Sequence, residues 1–206
     1  MPVPPEATAR PRTLVIGCGA LARELLEITR QPGFEHVEVT CLAADLHFRP
    51  ERIPDAVRRK IRSTRASYDQ IFVAYADCGT GGLLDPVLAE EGVERLGGAH
   101  CYEFYAGSAA FERLMDEELG TFFLTDFLAR HFDSLVVRAL GIDRHPELAA
   151  TYFANYHRLV YLAQHDDADL DRRSRDAAER LGLAYERRFT GLGDLATGLA
   201  PLGIPA

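Results

Sequence analysis

The chain lacks the features that would place it in a membrane, on a nucleic acid or outside the cell. No run approaches the ~18 consecutive apolar residues of a bilayer-spanning helix, so no membrane partner is expected. Cations are in deficit: 23 lysines and arginines stand against 31 aspartates and glutamates, a net charge of −8, and no basic cluster is interleaved with aromatics. A phosphate backbone selects the opposite balance, so no nucleic-acid partner is expected either. Cysteine is scarce, at four in 206 residues, and no apolar leader follows Met1-Pro2-Val3-Pro4-Pro5. A chain of this length buries a core without disulfides. The expected compartment is therefore the cytoplasm, where grouped cysteines remain thiols and serve as ligands or catalysts.

Neither a fixed-period repeat nor a long linker divides the sequence. Met1 to Arg12, with prolines at 2, 4, 5 and 11, reads as a disordered tail, and residues 13–206 read as a single domain. Thr13-Leu14-Val15-Ile16-Gly17 is a short apolar run suited to a strand buried on both faces, and Leu21, Ala22, Leu25 and Leu26 then recur at helical spacing. Strands are predicted at Val37–Leu42, Ile71–Ala76 and Val93–Leu96. Helices are predicted over Glu51–Arg65, with the stripe Ile53, Val57, Ile61, and over Leu83–Glu91. Further on, helices are predicted at Ala106–Glu118, at Thr125–Leu140 and from His145-Pro146-Glu147 toward Tyr156. A strand at Arg158–Ala163, a helix at Leu170–Leu181 and a strand at Ala184–Phe189 complete a second β-α-β unit. This alternation defines an α/β fold with an open, mostly parallel, Rossmann-like sheet and helices on both faces.

Three cysteines share one kind of position. Cys18, Cys78 and Cys101 each follow a strand-like run, in Gly17-Cys18-Gly19, Asp77-Cys78-Gly79 and His100-Cys101-Tyr102. Ligands of open α/β sheets bind beyond the carboxyl ends of the strands, and a strand order 2-1-3-4 would bring these turns to one edge. Thiolates select soft ions, so the expected cofactor is zinc or an iron–sulfur cluster held by Cys18, Cys78 and Cys101. His100 and His47 are candidates for a further ligand; His100 neighbours Cys101, but on extended backbone the two side chains would face opposite ways. Glu103 shares the face of Cys101, and Tyr102 and Glu103 are the candidate catalytic groups beside it. Cys41 lies inside a strand and is expected to be a core residue.

A rival reading starts from the glycines. Gly17-Cys18-Gly19-Ala20-Leu21-Ala22 fits the G-x-G-x-x-G/A dinucleotide fingerprint between a strand and a helix. Gly17 and Gly19, with Gly79, Thr80 and Gly81 of the later turn, would then bind the phosphates of a nucleotide, or S-adenosylmethionine, as a small-molecule ligand. The acidic residue that should end the second strand is missing, since Asp45 comes three residues late. The basic run Arg58-Arg59-Lys60 with Arg62 and Arg65 reads as a solvated helix face or, alternatively, as a surface that docks an acidic protein. Thr125-Asp126 reads first as a helix cap and second as a catalytic carboxylate.

Several segments together carry a resemblance: Cys18-Gly-Ala-Leu-Ala-Arg-Glu24, Leu46-His47 with Arg49-Pro50, Tyr75-Ala-Asp-Cys-Gly-Thr-Gly-Gly82, His100-Cys-Tyr-Glu-Phe-Tyr105, Phe123-Leu-Thr-Asp-Phe127, and Asn155-Tyr156 through Gln164. In these the chain resembles a bacterial and archaeal family catalogued as domain of unknown function 1638. Ala76 stands where the family usually has glycine, and Phe48 where it has asparagine. Members tend to be encoded beside corrinoid-dependent methyltransferases, so the resemblance implies service to methyl transfer in one-carbon metabolism, with components of a corrinoid methyltransferase system as partners. An accessory protein docking on such a methyltransferase is the non-catalytic alternative. Pro50 replaces the glycine of the D-x-H-x-x-G loop that ligates cobalt in corrinoid proteins, which argues against direct corrinoid binding through His47.

Overall fold

The computed structural model describes residues 10–203. Most of the tail expected before Thr13, residues 1–9, lies outside the described residues. The described chain forms two compact units: one comprises residues 10–75, 80–96 and 199–203, and the other comprises 76–79 and 97–198.

The first unit is built on four parallel strands, β1 (Thr13–Cys18), β2 (Val37–Leu42), β3 (Gln70–Ala74) and β4 (Glu94–Arg95), in the order β2-β1-β3-β4. All six residues of β1 are buried, as a central parallel strand covered on both faces requires. The helices α1 (Ala22–Thr29), α2 (Ile53–Thr64) and α3 (Leu84–Glu91) connect these strands. The predicted stripe on α2 is sealed completely: Ile53, Val57 and Ile61 expose none of their surface. Gly17 lets α1 approach the sheet, because a Cβ there would collide with the end of the Leu25 side chain.

Three residues of the basic run have partners within this unit. Arg58 pairs with Glu90 at 2.6 Å and Arg62 with Glu91 at 2.7 Å, and Arg65 donates to the Glu91 backbone carbonyl, also at 2.6 Å. These residues tie α2 to α3.

The second unit carries a separate parallel sheet, β5 (Thr121–Thr125), β6 (Arg158–Ala163) and β7 (Ala184–Phe189), in that order. Leu159 to Ala163 are fully buried at the centre, whereas β7 is polar and partly exposed, as suits an edge. Its helices are α4 (Cys101–Ala106), α5 (Ser108–Glu117), α6 (Asp126–Arg130), α7 (Leu148–Tyr152), α8 (Ala168–Leu181) and α9 (Gly193–Leu199), the last of which ends at Leu199 in the first unit. Thr125 caps α6 as expected, its hydroxyl accepting the Leu128 amide at 3.3 Å. The predicted helix over Thr125–Leu140 is broken: α6 is one short segment, and Asp133–Arg138 forms a π-helical turn. The wider turn buries Val136 and Val137 together, with Phe132.

Two further differences matter for the site. The strand β5 falls between two predicted helices and overlaps the second only at Thr125. His100 keeps an extended backbone but is the N-cap of α4, and Cys101 is the first helical residue, so the two are not successive residues of a strand.

Candidate metal centre

In the first unit, β1 delivers Cys18 to the turn that opens α1. Its backbone is extended and its Sγ accepts the Ala20 amide at 3.4 Å, so the sulfur itself caps the helical turn Gly19–Leu21. That amide is one a phosphate would otherwise use. The side chain of Cys18 is buried, and its Sγ lies 3.8 Å from Nδ1 of His47, in the helical turn after β2. His47 Nδ1 also stands 3.2 Å from the Ala44 carbonyl. A carbonyl can only accept, so Nδ1 carries the proton there and Nε2 is the basic nitrogen. The buried carboxylate of Glu24 occupies the first turn of α1, where a nucleotide phosphate would need positive potential.

In the second unit, Cys78 adopts φ 51°, and among the described residues no other non-glycine side chain lies at positive φ. Holding an L-residue there costs about 1–2 kcal/mol. The turn is pinned by two backbone bonds, from Asp77 N–H to Gly98 O and from Cys78 N–H to Ala99 O, each 3.0 Å, which tie it to the segment that enters α4. His100 caps α4 through Nδ1, which accepts the Tyr102 amide at 3.3 Å, and Cys101 is the first helical residue. Cys101 Sγ lies 3.5 Å from His100 Nδ1; with that nitrogen's lone pair given to the Tyr102 amide, Nε2 is the atom His100 can offer to an ion beside the sulfur.

Tyr102 stacks on His100 with ring centroids 4.0 Å apart and on Phe123 at 5.4 Å. Its phenol is held well above the ordinary range, first by burial and then by the neighbouring Cys101 and Cys78 thiols and Tyr156. Glu103 is committed on both oxygens, one accepting the Ala99 amide at 2.9 Å and the other the Ser108 hydroxyl at 2.8 Å. It braces the loop and the α4–α5 junction. The donors left are sulfur and imidazole, a set that fits zinc or iron and does not fit magnesium or calcium.

Of the phosphate-cradle candidates, Gly19 is crowded, since a Cβ would lie 3.0 Å from the Leu42 carbonyl. Thr80 is buried, and Gly79 and Gly81 adopt positive φ in the turn that follows Cys78.

Cys41 is half-buried, and its thiol is pushed up to about 11, first by burial and then by nearby Cys18, against a small opposing effect of the Gly17 backbone. At pH 8 only about one Cys41 in a thousand is thiolate, roughly two orders of magnitude below an unperturbed thiol. Alkylation by iodoacetamide, followed by peptide mapping, is therefore expected to label Cys41 about a hundredfold more slowly than a small model thiol at pH 8. The rate should climb tenfold per pH unit until about pH 11. Labelling at the model-thiol rate would contradict this environment.

A second polar cluster was not anticipated as a whole. Asp126 exposes none of its surface, yet it accepts three hydrogen bonds: from the Tyr161 hydroxyl at 2.7 Å, the Gln164 amide at 3.1 Å and His165 Nδ1 at 2.7 Å. Gln164 Oε1 in turn accepts the Asp126 amide at 2.7 Å. Asp126 and His165 directly follow or closely follow the carboxyl ends of neighbouring strands β5 and β6. Recognising Thr121–Thr125 as a strand would have exposed this pairing.

The family can now be stated: the chain belongs to DUF1638, described as a protein of unknown function, whose profile matches residues 41–199. No curated protein matches it. Among the described residues, no helix is long and apolar enough to cross a membrane.

Proposed function

We propose that this DUF1638 protein holds zinc or an iron–sulfur cluster through Cys18, Cys78 and Cys101, with His47 and His100 completing or flanking the site, in the service of corrinoid-linked methyl transfer. The observation that carries this reading is the backbone of Cys78. Strain at a non-glycine residue persists where the side chain is needed, and glycine would adopt the same turn at lower cost. The neighbouring His100–Cys101 pair and the Cys18–His47 pair supply donors of the same softness. When bound, zinc would activate a thiol as methyl acceptor, whereas an iron–sulfur cluster would deliver electrons to inactive cobalt. Tyr102 and Glu103 then act as wall and brace for the sulfur ligands.

Metal and acid-labile sulfide analysis after anaerobic purification tests this. We expect stoichiometric zinc, or iron with sulfide, in the wild type. Cys18→Ala, Cys101→Ala and Cys78→Gly are each expected to weaken metal binding ten- to a hundredfold, while Cys41→Ala leaves it unchanged. Cys78→Gly is the sharpest variant, because it relieves the backbone while removing the sulfur, so the protein stays folded as the metal is lost. Equal metal content in all four variants would refute the proposal.

A further inference from the structure

At the carboxyl ends of β6 and β7, within the second unit, lies a cavity of about 350 Å³. Small-molecule sites commonly span about 300–1,000 Å³ and lie at this end of parallel strands. Leu114 and Leu162, both buried, form part of an apolar floor, and Phe189, 62% exposed, stands at the rim. The charged residues that line it are balanced: Arg113 and Arg188 against Glu117 and Asp194. One of each sign is neutralised nearby, since Glu117 receives Arg158 at 3.4 Å and Arg188 pairs with Glu186 of its own strand. The other two have no counter-ion among the described residues. Arg113 makes no ion pair or hydrogen bond there, and the Asp194 carboxylate accepts the Ser108 amide at 3.4 Å and nothing else.

Such a lining does not select a lone ion, because whatever one of these two charges attracts the other repels. It suits a ligand that carries both signs and is neutral as a whole. We propose that the cavity binds a free α-amino acid with an aliphatic side chain, its carboxylate on Arg113, its ammonium group on Asp194 and its side chain over Leu114 and Leu162. A planar guanidinium fork matches a carboxylate with two parallel N–H donors. A carboxylate holding one long hydrogen bond keeps lone pairs for an ammonium donor. No ion pair joins Arg113 to Asp194, so the ligand displaces water and breaks no salt bridge. This site uses none of the cysteines, and it stands or falls independently of the metal.

Four probes, titrated into the full chain at low ionic strength and followed by NMR, provide the test: leucine; 4-methylpentanoate, which lacks its ammonium group; 3-methylbutylamine, which lacks its carboxylate; and glycine, which lacks its side chain. Leucine is expected to bind about fivefold more tightly than either single ion, the upper range for an exposed ion pair, and more tightly than glycine. Arg113→Gln should leave leucine no better than 3-methylbutylamine, with no change in the unfolding midpoint, because this exposed side chain has no bond to lose. Asp194→Asn, which keeps an oxygen for the Ser108 amide, should leave leucine no better than 4-methylpentanoate. Should that variant fail to fold, Arg113→Gln decides alone. Binding of none of the four, binding of a single ion or of glycine as tightly as leucine, or a preference that survives Arg113→Gln would each overturn the proposal.

Discussion

Replacing Asp126 with alanine is expected to destabilise the second unit by about 3–5 kcal/mol, within the sum of about 1–3 kcal/mol for each buried donor left unsatisfied. The cost arises from what remains behind. The Tyr161 hydroxyl, the Gln164 amide and His165 Nδ1 all donate to this carboxylate, and the tyrosine and the glutamine are buried where no water replaces it. Burial first, and then the bond to Asp126, already holds the Tyr161 phenol above its ordinary range, so it is not relieved by ionising. At about 2–4 °C per kcal/mol for a domain of 150–250 residues, the midpoint should fall by roughly 6–20 °C. Asp126→Asn should lose less than half as much. Its remaining oxygen serves the Tyr161 and Gln164 donors, and His165 meets the new amide by shifting its proton to Nε2. In a double-mutant cycle, Asp126→Ala with Tyr161→Phe should cost clearly less than the two single losses added together, because both remove one hydrogen bond. A loss below about 1 kcal/mol for Asp126→Ala, measured by urea denaturation, would mean that the cluster is not the closed network described above.

Which parts of this molecule could be read from its sequence follows from how local each signal is. The edges of β2, β6 and β7 are marked by abrupt changes from apolar or alternating residues to turn residues, and those strands were bounded correctly. The turns at Cys18 and Cys78 were legible because each sulfur sits beside a glycine after an apolar run, features confined to three or four residues, whereas the helix that starts at Cys101 was expected only from Ala106. By contrast, β5 is five residues, Thr-Phe-Phe-Leu-Thr, between helical patterns, and its identity depends on pairing with β6 more than thirty residues away. Pairing over that distance leaves no periodic trace. The same gap hid the division into a four-stranded and a three-stranded sheet, and with it the meeting of Asp126 and His165. The Arg58–Arg65 run is the opposite case: its solvated face was legible from the local charge pattern, and Arg62 and Arg65 are exposed, but the pairing with Glu90 and Glu91 on another helix was not.

Gly193→Ala is expected to cost about 2–5 kcal/mol, whereas Gly182→Ala, at a similar backbone angle, should cost about 1–2 kcal/mol. Gly182 ends α8 at φ 70°, and a Cβ there would meet nothing within 4 Å, so its penalty is conformational alone. Gly193 opens α9 at φ 49°, and a Cβ there would lie 2.5 Å from the Phe104 carbonyl oxygen and 2.8 Å from the Tyr105 carbonyl carbon, closer than side chains ever pack. Those are backbone atoms at the end of α4, which cannot rotate aside as a side chain would. Relief requires α9 or α4 to shift, and α4 is fixed by the His100 cap at one end and by Glu103 at the loop and at Ser108. Tyr105 and Gly193 both line a cavity of the second unit, so the clash falls on that wall. Urea denaturation of the two variants separates the contributions: equal losses would show that the close approach of α9 to α4 carries no energetic weight, and a larger loss at Gly193 measures the rigidity with which the second unit holds its cavity wall.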